Sequence, residues 1–232
     1  MKTIRRANER GAGNHGWLEA KHTFSFNTYM DPEHMEFRSL RVMNEDRVAP
    51  GKGFPTHPQE NMEILTYVIS GALEHKDSMG NGSVIHAGEL QKMSAGTGVT
   101  HSEFNPSADE PTHLYQIWIR PSTQNIAPSY SERRTPYEQD AWNLIAVPNA
   151  ETGGDVFPIE QDAKVYLGKL STGLELEYAT QDDRYLWLQV VTGKVRVDDD
   201  VLSAGDGLKV EAESDITVAA LSDADVILFD LA

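Results

Sequence analysis

The run ILTYVISG at residues 64–71 is the stretch of sequence that indicates the fold. Its β-branched and aromatic side chains favour a strand, and the turn residues Ser70-Gly71 end it. Three further runs have the same character: LYQIWI at residues 114–119, LWLQVV at 186–191 and DVILF at 225–229. Because these short strands are separated by turn residues and helical periodicity is not sustained, we predict an all-β chain built from barrels or sandwiches.

A weak internal repeat indicates two barrels. The order strand, glycine turn, strand at residues 67–74 (YVISGALE) recurs at residues 189–196 (QVVTGKVR). Each copy is followed by an Ala-Gly-acid turn, at residues 87–89 and 204–206. Two matching features in the same order favour a duplicated unit.

The repeat gives a domain prediction. We expect one barrel at residues 1–121 and a second at residues 161–232. A proline-containing linker at residues 122–160 joins them, and we expect a short helix within it, at residues 128–143.

Composition excludes several classes of function. The 232 residues include 20 basic and 36 acidic side chains, a net charge of −16 that disfavours direct binding to DNA or RNA. Cysteine is absent, so disulfides, thiolate metal ligands and cysteine nucleophiles are excluded together. Any metal must be held by histidine, carboxylate or amide oxygen.

The sequence also predicts a location. It begins without a readable signal peptide, and no run approaches the roughly 18 apolar residues of a spanning helix. We therefore expect a cytoplasmic protein that does not enter a membrane.

The histidines are unevenly distributed. All eight lie within residues 1–113, whereas most of the negative charge lies in residues 114–232. Imidazole chemistry therefore belongs to the first half of the chain.

Two polar segments could carry that chemistry: GKGFPTHPQENME at residues 51–63 and SAGTGVTHSEFN at residues 94–105. Residues i and i+2 of a strand face the same side, which pairs His57 with Gln59 and His101 with Glu103. If the two strands are neighbours, two imidazoles and a carboxylate converge as they do around non-haem Fe(II). An isolated histidine is more often a hydrogen-bonded surface or core residue, and spacing alone leaves both interpretations open.

The two segments resemble the cupin motifs. Gly51, His57, Gln59, Glu63 and Gly71 follow the first motif, G-x5-H-x-H-x3-E-x6-G, with one extra residue before the last glycine.

The second segment has the longer form that pirins show, MSAGTGVTHSE at residues 93–103. Residues 23–26 (TFSF), 29–32 (YMDP) and 75–81 (HKDSMGN) are also similar to pirins. The chain thus resembles the pirin family most strongly over residues 5–121. The resemblance implies a bicupin, with two jelly-roll-like β-barrels in one chain.

The resemblance also implies a metal site in the N-terminal barrel, on three histidines and one glutamate. His57, His101 and Glu103 carry over, but Gln59 stands at the third histidine position. Its amide oxygen is a weaker ligand than imidazole for late first-row metals. Gln59 ligates through that oxygen, or it withdraws and leaves two histidines and one glutamate, or the site is too weak to hold metal.

The function implied is that of a quercetin 2,3-dioxygenase-like oxidoreductase, which opens a flavonol ring with O₂. Glu103 would both ligate the metal and accept the hydroxyl proton. The expected cofactor is one divalent transition metal, iron first, with Mn, Ni, Cu, Co or Zn as alternatives. The expected substrate is a small aromatic molecule such as a flavonol, and the expected state is a monomer.

Two other functions stay open. Some pirins resemble regulatory or redox-sensing proteins, for which the acidic second half would serve as a protein-binding face. The chain could also be a cupin that has lost its metal through Gln59.

Overall fold

The structure, a computed structural model, describes residues 1–134, 136–151 and 153–232. These residues form strands and two short 3-10 helices, Ala7–Glu9 and Asn149–Glu151, and none of them is in an α-helix. The first twelve strands are β1 (Lys2–Arg5), β2 (Gly11–Asn14), β3 (Leu18–His22), β4 (Leu40–Val48), β5 (Gly53–Gln59), β6 (Glu63–Ser70), β7 (Ala72–Asp77), β8 (Gly82–His86), β9 (Leu90–Ser94), β10 (Val99–Phe104), β11 (Thr112–Ile119) and β12 (Ser129–Arg133). The remaining strands are β13 (Ala141–Pro148), β14 (Phe157–Ile159), β15 (Ala163–Leu170), β16 (Glu175–Ala179), β17 (Tyr185–Thr192), β18 (Lys194–Val197), β19 (Asp200–Ser203), β20 (Gly207–Val210), β21 (Asp215–Ala220) and β22 (Ala224–Leu231).

The chain divides into two compact units. The first unit is Gly11–Thr135, and the second unit combines Met1–Arg10 with Pro136–Ala232. Each contains one seven-stranded and one four-stranded sheet. The prediction of an all-β chain with two barrels is therefore confirmed.

The first unit is built on strands that the sequence marks as buried. Its sheets have the orders β12-β9-β6-β11-β4-β3-β2 and β5-β10-β7-β8. Val68 and Leu114 of the larger sheet pack with Leu73 and Ile85 of the smaller one. The core thus lies between the two sheets, and β6, an interior strand of the larger sheet, is buried on both faces over most of its length.

The second unit repeats this plan. Its sheets have the orders β1-β20-β17-β22-β15-β13-β14 and β16-β21-β18-β19. Leu188, Val195, Val218 and Leu228 are among the residues of its continuous apolar core. The core again joins the larger sheet to the smaller one.

The repeated glycines occupy equivalent turns in the two units. Gly71 and Gly193 connect the equivalent hairpins β6–β7 and β17–β18 with φ of +78° and +77°. A Cβ would lie 2.7 Å from the Pro111 carbonyl oxygen at Gly71 and 2.1 Å from the Asp223 carbonyl oxygen at Gly193. Both the left-handed backbone and the close approach of a neighbouring strand therefore require glycine.

The predicted short helix at residues 128–143 is wrong for the described part of that range. Ser129–Arg133 is strand β12, which pairs with β9, and Ala141–Pro148 is strand β13, which pairs with β15. Because each segment pairs with a strand of its sheet, tertiary pairing outweighs its weak local preference for a helix.

The observed boundaries also differ from the expected domains. The expected linker, residues 122–160, contributes β12 to the first unit and β13 and β14 to the second. Residues 1–10, expected in the first barrel, belong to the second, because β1 pairs with β20 from Lys2↔Val210 to Arg5↔Gly207. A pairing across about 200 residues leaves no local signal in the sequence.

Candidate metal centre

Two neighbouring strands of the smaller sheet bring the predicted residues together. Strands β5 and β10 are antiparallel, with His57 opposite His101 and Gln59 opposite Val99. The ring centroids of His57 and His101 are 4.4 Å apart. The register shifts between His101 and Glu103, so β10 carries a bulge beside these two side chains.

A third strand adds a residue that the sequence analysis did not select. Strand β7 lies on the other side of β10 and places His75 opposite Glu103 and Asp77 opposite His101. The donor atoms of His75, His101 and Glu103 all lie within 4.8 Å of one another, and all three side chains are buried. The alternation of His75 and Asp77 is visible in the sequence, but nothing in the sequence places their strand beside β10.

Glu103 is held by two amide groups. Gln91 Nε2 donates to Oε1 at 2.9 Å, and Gln116 Nε2 donates to Oε2 at 2.8 Å. Trp118 Nε1 in turn donates to Gln116 Oε1 at 3.2 Å, which orients that amide. Neutral donors stabilise the carboxylate and fix its orientation without cancelling its charge, so it remains available to a cation.

His101 is a buried imidazole without hydrogen bonds. Its side chain is 2% exposed, and neither Nδ1 nor Nε2 has a partner. Burial lowers the pKa of His101, with the nearby His57 and His75 acting in the same direction against Glu103. A neutral ring with two unsatisfied buried nitrogens is costly by itself, and a metal ligated at one of them would reduce that cost.

His75 has one nitrogen engaged and one not. Its Nε2 lies 2.9 Å from Asp77 Oδ2, and its Nδ1 is buried without a partner. Burial raises the pKa of Asp77, but hydrogen bonds from His75 and Asn81 outweigh it and hold that pKa below the usual value. Since an ionised carboxylate only accepts hydrogen bonds, the His75 proton lies on Nε2 and the lone pair on Nδ1.

His57 has the opposite tautomer. Its Nδ1 lies 2.9 Å from the Pro55 carbonyl oxygen, which can only accept. The proton therefore lies on Nδ1, and Nε2 carries the lone pair. The side chain is half-buried on the edge strand of its sheet, so this nitrogen is reachable from outside.

Gln59 lines a cavity beside these histidines. The cavity has a volume of about 700 Å³, within the usual range of small-molecule sites. It is lined by Pro58, Gln59, Glu60, Met62, Ser78, Gly98, Val99, Thr100 and Trp118. Gln59 and Val99 face each other two pairs beyond His57↔His101, so the cavity lies at that end of β5 and β10.

Asp46 adds a further buried acid in the same unit. Burial, together with the charges of Glu103 and Glu45, raises the pKa of Asp46 to about 7. Its Oδ1 has no hydrogen-bond partner. Negative charge is thus concentrated near Glu103, which favours a cation there.

Glu63, which fills the glutamate position of the generic cupin motif, is engaged elsewhere. Its Oε2 accepts a hydrogen bond from Ser94 Oγ at 2.8 Å and lies 3.3 Å from Lys92 Nζ. All three residues are buried. A paired buried carboxylate of this kind is structural.

The fold and the site together define a class of protein. Each of the two units has a seven-stranded and a four-stranded sheet, and among the described residues the cluster of histidine and glutamate donors lies in the first unit; these features define a bicupin. Family comparison makes the assignment narrower. The pirin family matches residues 3–119, and the family described as quercetinase C-terminal cupin domain matches residues 144–231.

The chain belongs to the pirin family. It is 47% identical to the quercetin 2,3-dioxygenase of Escherichia coli strain K12, over 100% of this chain and 99% of that protein. It is 41% identical to a pirin-like protein of Caulobacter vibrioides, over 96% of each.

Solved structures agree with this assignment. The crystal structure of YhhW from Escherichia coli has a TM-score of 0.96 and 46% identity, covering 100% of this chain and 98% of that one. The same bacterial pirin in complex with nickel(II) has a TM-score of 0.94 and 45% identity, covering 100% of this chain and 99% of that one.

In the described part of the present chain, no helix is long and apolar enough to cross a membrane.

Proposed function

We propose that this chain is a metal-dependent dioxygenase that opens a flavonol ring with O₂. The observation that supports it most is a buried cluster with unsatisfied nitrogen donors and a fixed carboxylate, next to a cavity of about 700 Å³. The relatives named quercetin 2,3-dioxygenase supply the substrate class.

The proposed ligands of one divalent transition metal are His57, His101 and Glu103. His101 and Glu103 are buried with donor atoms within 4.8 Å of each other, and His57, whose ring centroid is 4.4 Å from that of His101, presents Nε2 beside them. Two imidazoles and one carboxylate leave coordination positions open for small ligands. Gln59 adds an amide oxygen at the cavity wall, where it ligates weakly or contacts the substrate.

The identity of the metal is a further proposal. Iron remains the prediction, because two histidines and one carboxylate form the facial arrangement of non-haem iron enzymes. The related Escherichia coli pirin has been solved with nickel(II). Affinity and availability both determine which metal a site holds in the cell.

The side chains provide the acid–base part of the reaction. When bound, the metal supplies Lewis-acid stabilisation of an ionised flavonol hydroxyl and a route for its reaction with O₂. Glu103 accepts the hydroxyl proton at one carboxylate oxygen. Gln91 and Gln116 hold that carboxylate in place, and each of its oxygens keeps a second lone pair for the proton.

The cavity suits a flat aromatic substrate. Met62, Val99 and Trp118 offer apolar contact, and Ser78 and Thr100 offer hydroxyl groups at its wall. Apolar walls exclude water from the reacting carbon atoms. The overall reaction takes up one O₂ for each flavonol and releases carbon monoxide and a depside.

The test is anaerobic reconstitution with one metal at a time, followed by quercetin and O₂. We expect O₂ uptake and carbon monoxide release in equal amounts, well above the background of free metal. Metal bound at one equivalent without O₂ uptake would overturn the dioxygenase and leave the regulatory, protein-binding alternative.

The third alternative, loss of metal, needs a second measurement. Elemental analysis of the wild type beside Gln59→His measures whether Gln59 permits binding. We expect metal in both proteins and higher affinity in the variant, because imidazole replaces an amide. Metal in the variant alone would establish that the natural chain has lost its cofactor.

Three other expectations stay predictions. They are a monomeric state, a cytoplasmic location and, for the regulatory alternative, a protein partner on the acidic second half. Size-exclusion chromatography with light scattering tests the first of them directly.

A further inference from the structure

We propose that His75 is a ligand of the metal through Nδ1, and that it supplies the third imidazole that Gln59 does not. This inference rests on the proposed metal centre and extends its ligand set to a residue of strand β7.

His75 lies beside Glu103 on the smaller sheet. Its Cα is paired with that of Glu103, and the two side chains leave the sheet on the same face. On the other side of β10, His57 is paired with His101 in the same way. Strand β10 therefore carries two donors, and each neighbouring strand contributes an imidazole beside one of them.

The distances between the donor atoms also support a role for His75 as a ligand. The donor atoms of His75, His101 and Glu103 lie within 4.8 Å of one another. Two ligand atoms at about 2.1 Å from one ion can be at most about 4.2 Å apart. Small rotations of the side chains therefore close these three donors around an ion, without movement of the strands.

The hydrogen bond made by the other ring nitrogen, Nε2, supports the same assignment. Asp77 accepts a hydrogen bond from His75 Nε2 at 2.9 Å, and both side chains are buried. Metal-ligating histidines almost always donate their other N–H to a carboxylate or carbonyl, which fixes the tautomer and raises the basicity of the ligating nitrogen. Asp77 is itself fixed by Asn81, whose Nδ2 donates to Oδ2 at 2.9 Å.

The unsatisfied ring nitrogen of His75 also supports its role as a ligand. His75 Nδ1 is buried and has no hydrogen-bond partner in the described part of the chain. Tyr130 stacks on the ring, with the centroids 4.4 Å apart and an interplanar angle of 14°. A buried lone pair beside His101 and Glu103 has the position and the chemistry of a metal ligand.

Gln59 gives this inference its importance. It lies opposite Val99, two pairs beyond His57↔His101 and farther along β10 from Glu103 than His75 is. With His75, the chain has three imidazoles and one glutamate for the ion, and Gln59 is left free to contact a molecule in the cavity.

The principal experiment uses the wild-type protein. Histidine is labelled with ¹⁵N, and long-range ¹H–¹⁵N spectra are recorded before and after one equivalent of Zn²⁺ is added. We expect Nδ1 of His75, assigned by loss of its signals in His75→Gln, to change from a free to a ligated nitrogen. Pulsed electron paramagnetic resonance of the Cu²⁺ protein should count three imidazoles.

Binding measurements add a second readout. Competition with a chelator should show that His75→Gln lowers the affinity for Ni²⁺ by at least about tenfold. The matched control is His86→Gln, an exposed histidine of the adjacent strand β8, which should bind as the wild type does. Circular dichroism establishes that both variants are folded, and the wild-type spectra do not depend on either.

The outcomes separate the two proposals. One equivalent of bound metal with only two imidazoles, and a His75 Nδ1 that does not change, would overturn the role of His75 and leave the metal centre intact. A wild type that binds no metal at millimolar concentration would overturn both. Three imidazoles that include His75 would support both.

Discussion

The carboxylate of Glu103 is held in place by neutral hydrogen-bond donors. Its two oxygens receive amide hydrogen bonds from Gln91 and Gln116, and no described cation forms an ion pair with it. Lys92, the buried lysine of β9, is paired with Glu63 instead. The negative charge of Glu103 is therefore kept for an ion or a proton from outside the protein.

Replacing Glu103 tests this arrangement. Glu103→Gln removes the charge at nearly constant shape, so we expect at least a tenfold loss of metal affinity and loss of O₂ uptake. Calorimetric titration with Ni²⁺ and an oxygen electrode measure the two effects. Glu74→Gln, on strand β7 of the same sheet, is the control and should change neither; equal metal binding by Glu103→Gln would contradict the proposed ligand.

Asp46 gives a prediction about pH. Its pKa is about 7 in the fold, above its ordinary value near 3.8, so the folded protein holds a proton that the unfolded chain has released. The free energy of unfolding therefore falls as pH rises from about 4 to 7, and levels off above that. Asp46→Asn should remove this contribution.

The measurement is urea denaturation of metal-free protein at pH 5 and pH 8. We expect the wild type to lose on the order of 2 kcal/mol more than Asp46→Asn does over this interval. Histidine titration is common to both proteins and cancels in the difference. The exposed Asp109→Asn should behave as the wild type; an identical loss in Asp46→Asn would refute the prediction.

At the scale of the element, the close approach of β5 and β10 depends on Gly53. A Cβ at this position would lie 2.2 Å from the Glu103 carbonyl oxygen and 2.5 Å from Phe104 Cα. These are backbone atoms, which cannot rotate away. Glycine thus lets the strand that carries His57 lie directly against the strand that carries His101.

Gly53→Ala should therefore separate the two strands. We expect the free energy of unfolding to fall by about 2 kcal/mol, the usual cost of overpacking, and metal affinity to fall with it. Gly82→Ala on β8 is the matched control, because its nearest neighbour would be Lys76 Cγ at 3.9 Å. Denaturation and metal titration of both variants are the measurements, and equal behaviour would show that β5 adjusts freely.

The elements also show what the sequence could predict. Each of the four apolar runs lies within an interior strand: 64–69 within β6, 114–119 within β11, 186–191 within β17 and 225–229 within β22. Interior strands are apolar on both faces, so their sequences are easily recognised as strands. Edge strands are more polar, and the sequence of β12 falls within the range where we predict a helix. His57 and His101 could be paired from two motifs, but His75 could not, since strand order decides which histidine faces Glu103.

At the scale of the whole molecule, the two larger sheets correspond in their interior strands and differ at one edge, where β2 and β3 are antiparallel and β13 and β14 are parallel. Strand β12 lies beside β9 in the first unit, and β1 lies beside β20 at the corresponding edge of the second. The repeat in the sequence is therefore largely a repeat of topology, although β12 comes from the last residues of its unit and β1 precedes the first unit in the chain. Only the first unit retains the histidines.

This arrangement predicts that β1 stabilises the second unit alone. Ile4 packs against the apolar core of that unit, so Ile4→Ala should lower its stability by about 1–2 kcal/mol. Thr3→Ala, on the exposed face of the same strand, is the control. Metal affinity should stay at the wild-type value in both, and a change in Ile4→Ala would show that the metal centre depends on the second unit.

The pairing of Lys2 with Val210 also sets an order of events on the ribosome. Strands β2 to β12 are complete once residue 133 has been made, so the histidine-bearing unit can fold early. Strand β1 precedes that unit in the chain but can pair only with β20, about 200 residues later. The sheets of the first unit can thus form while β1 is still unpaired, and β1 is open to proteases and chaperones until β20 has been made.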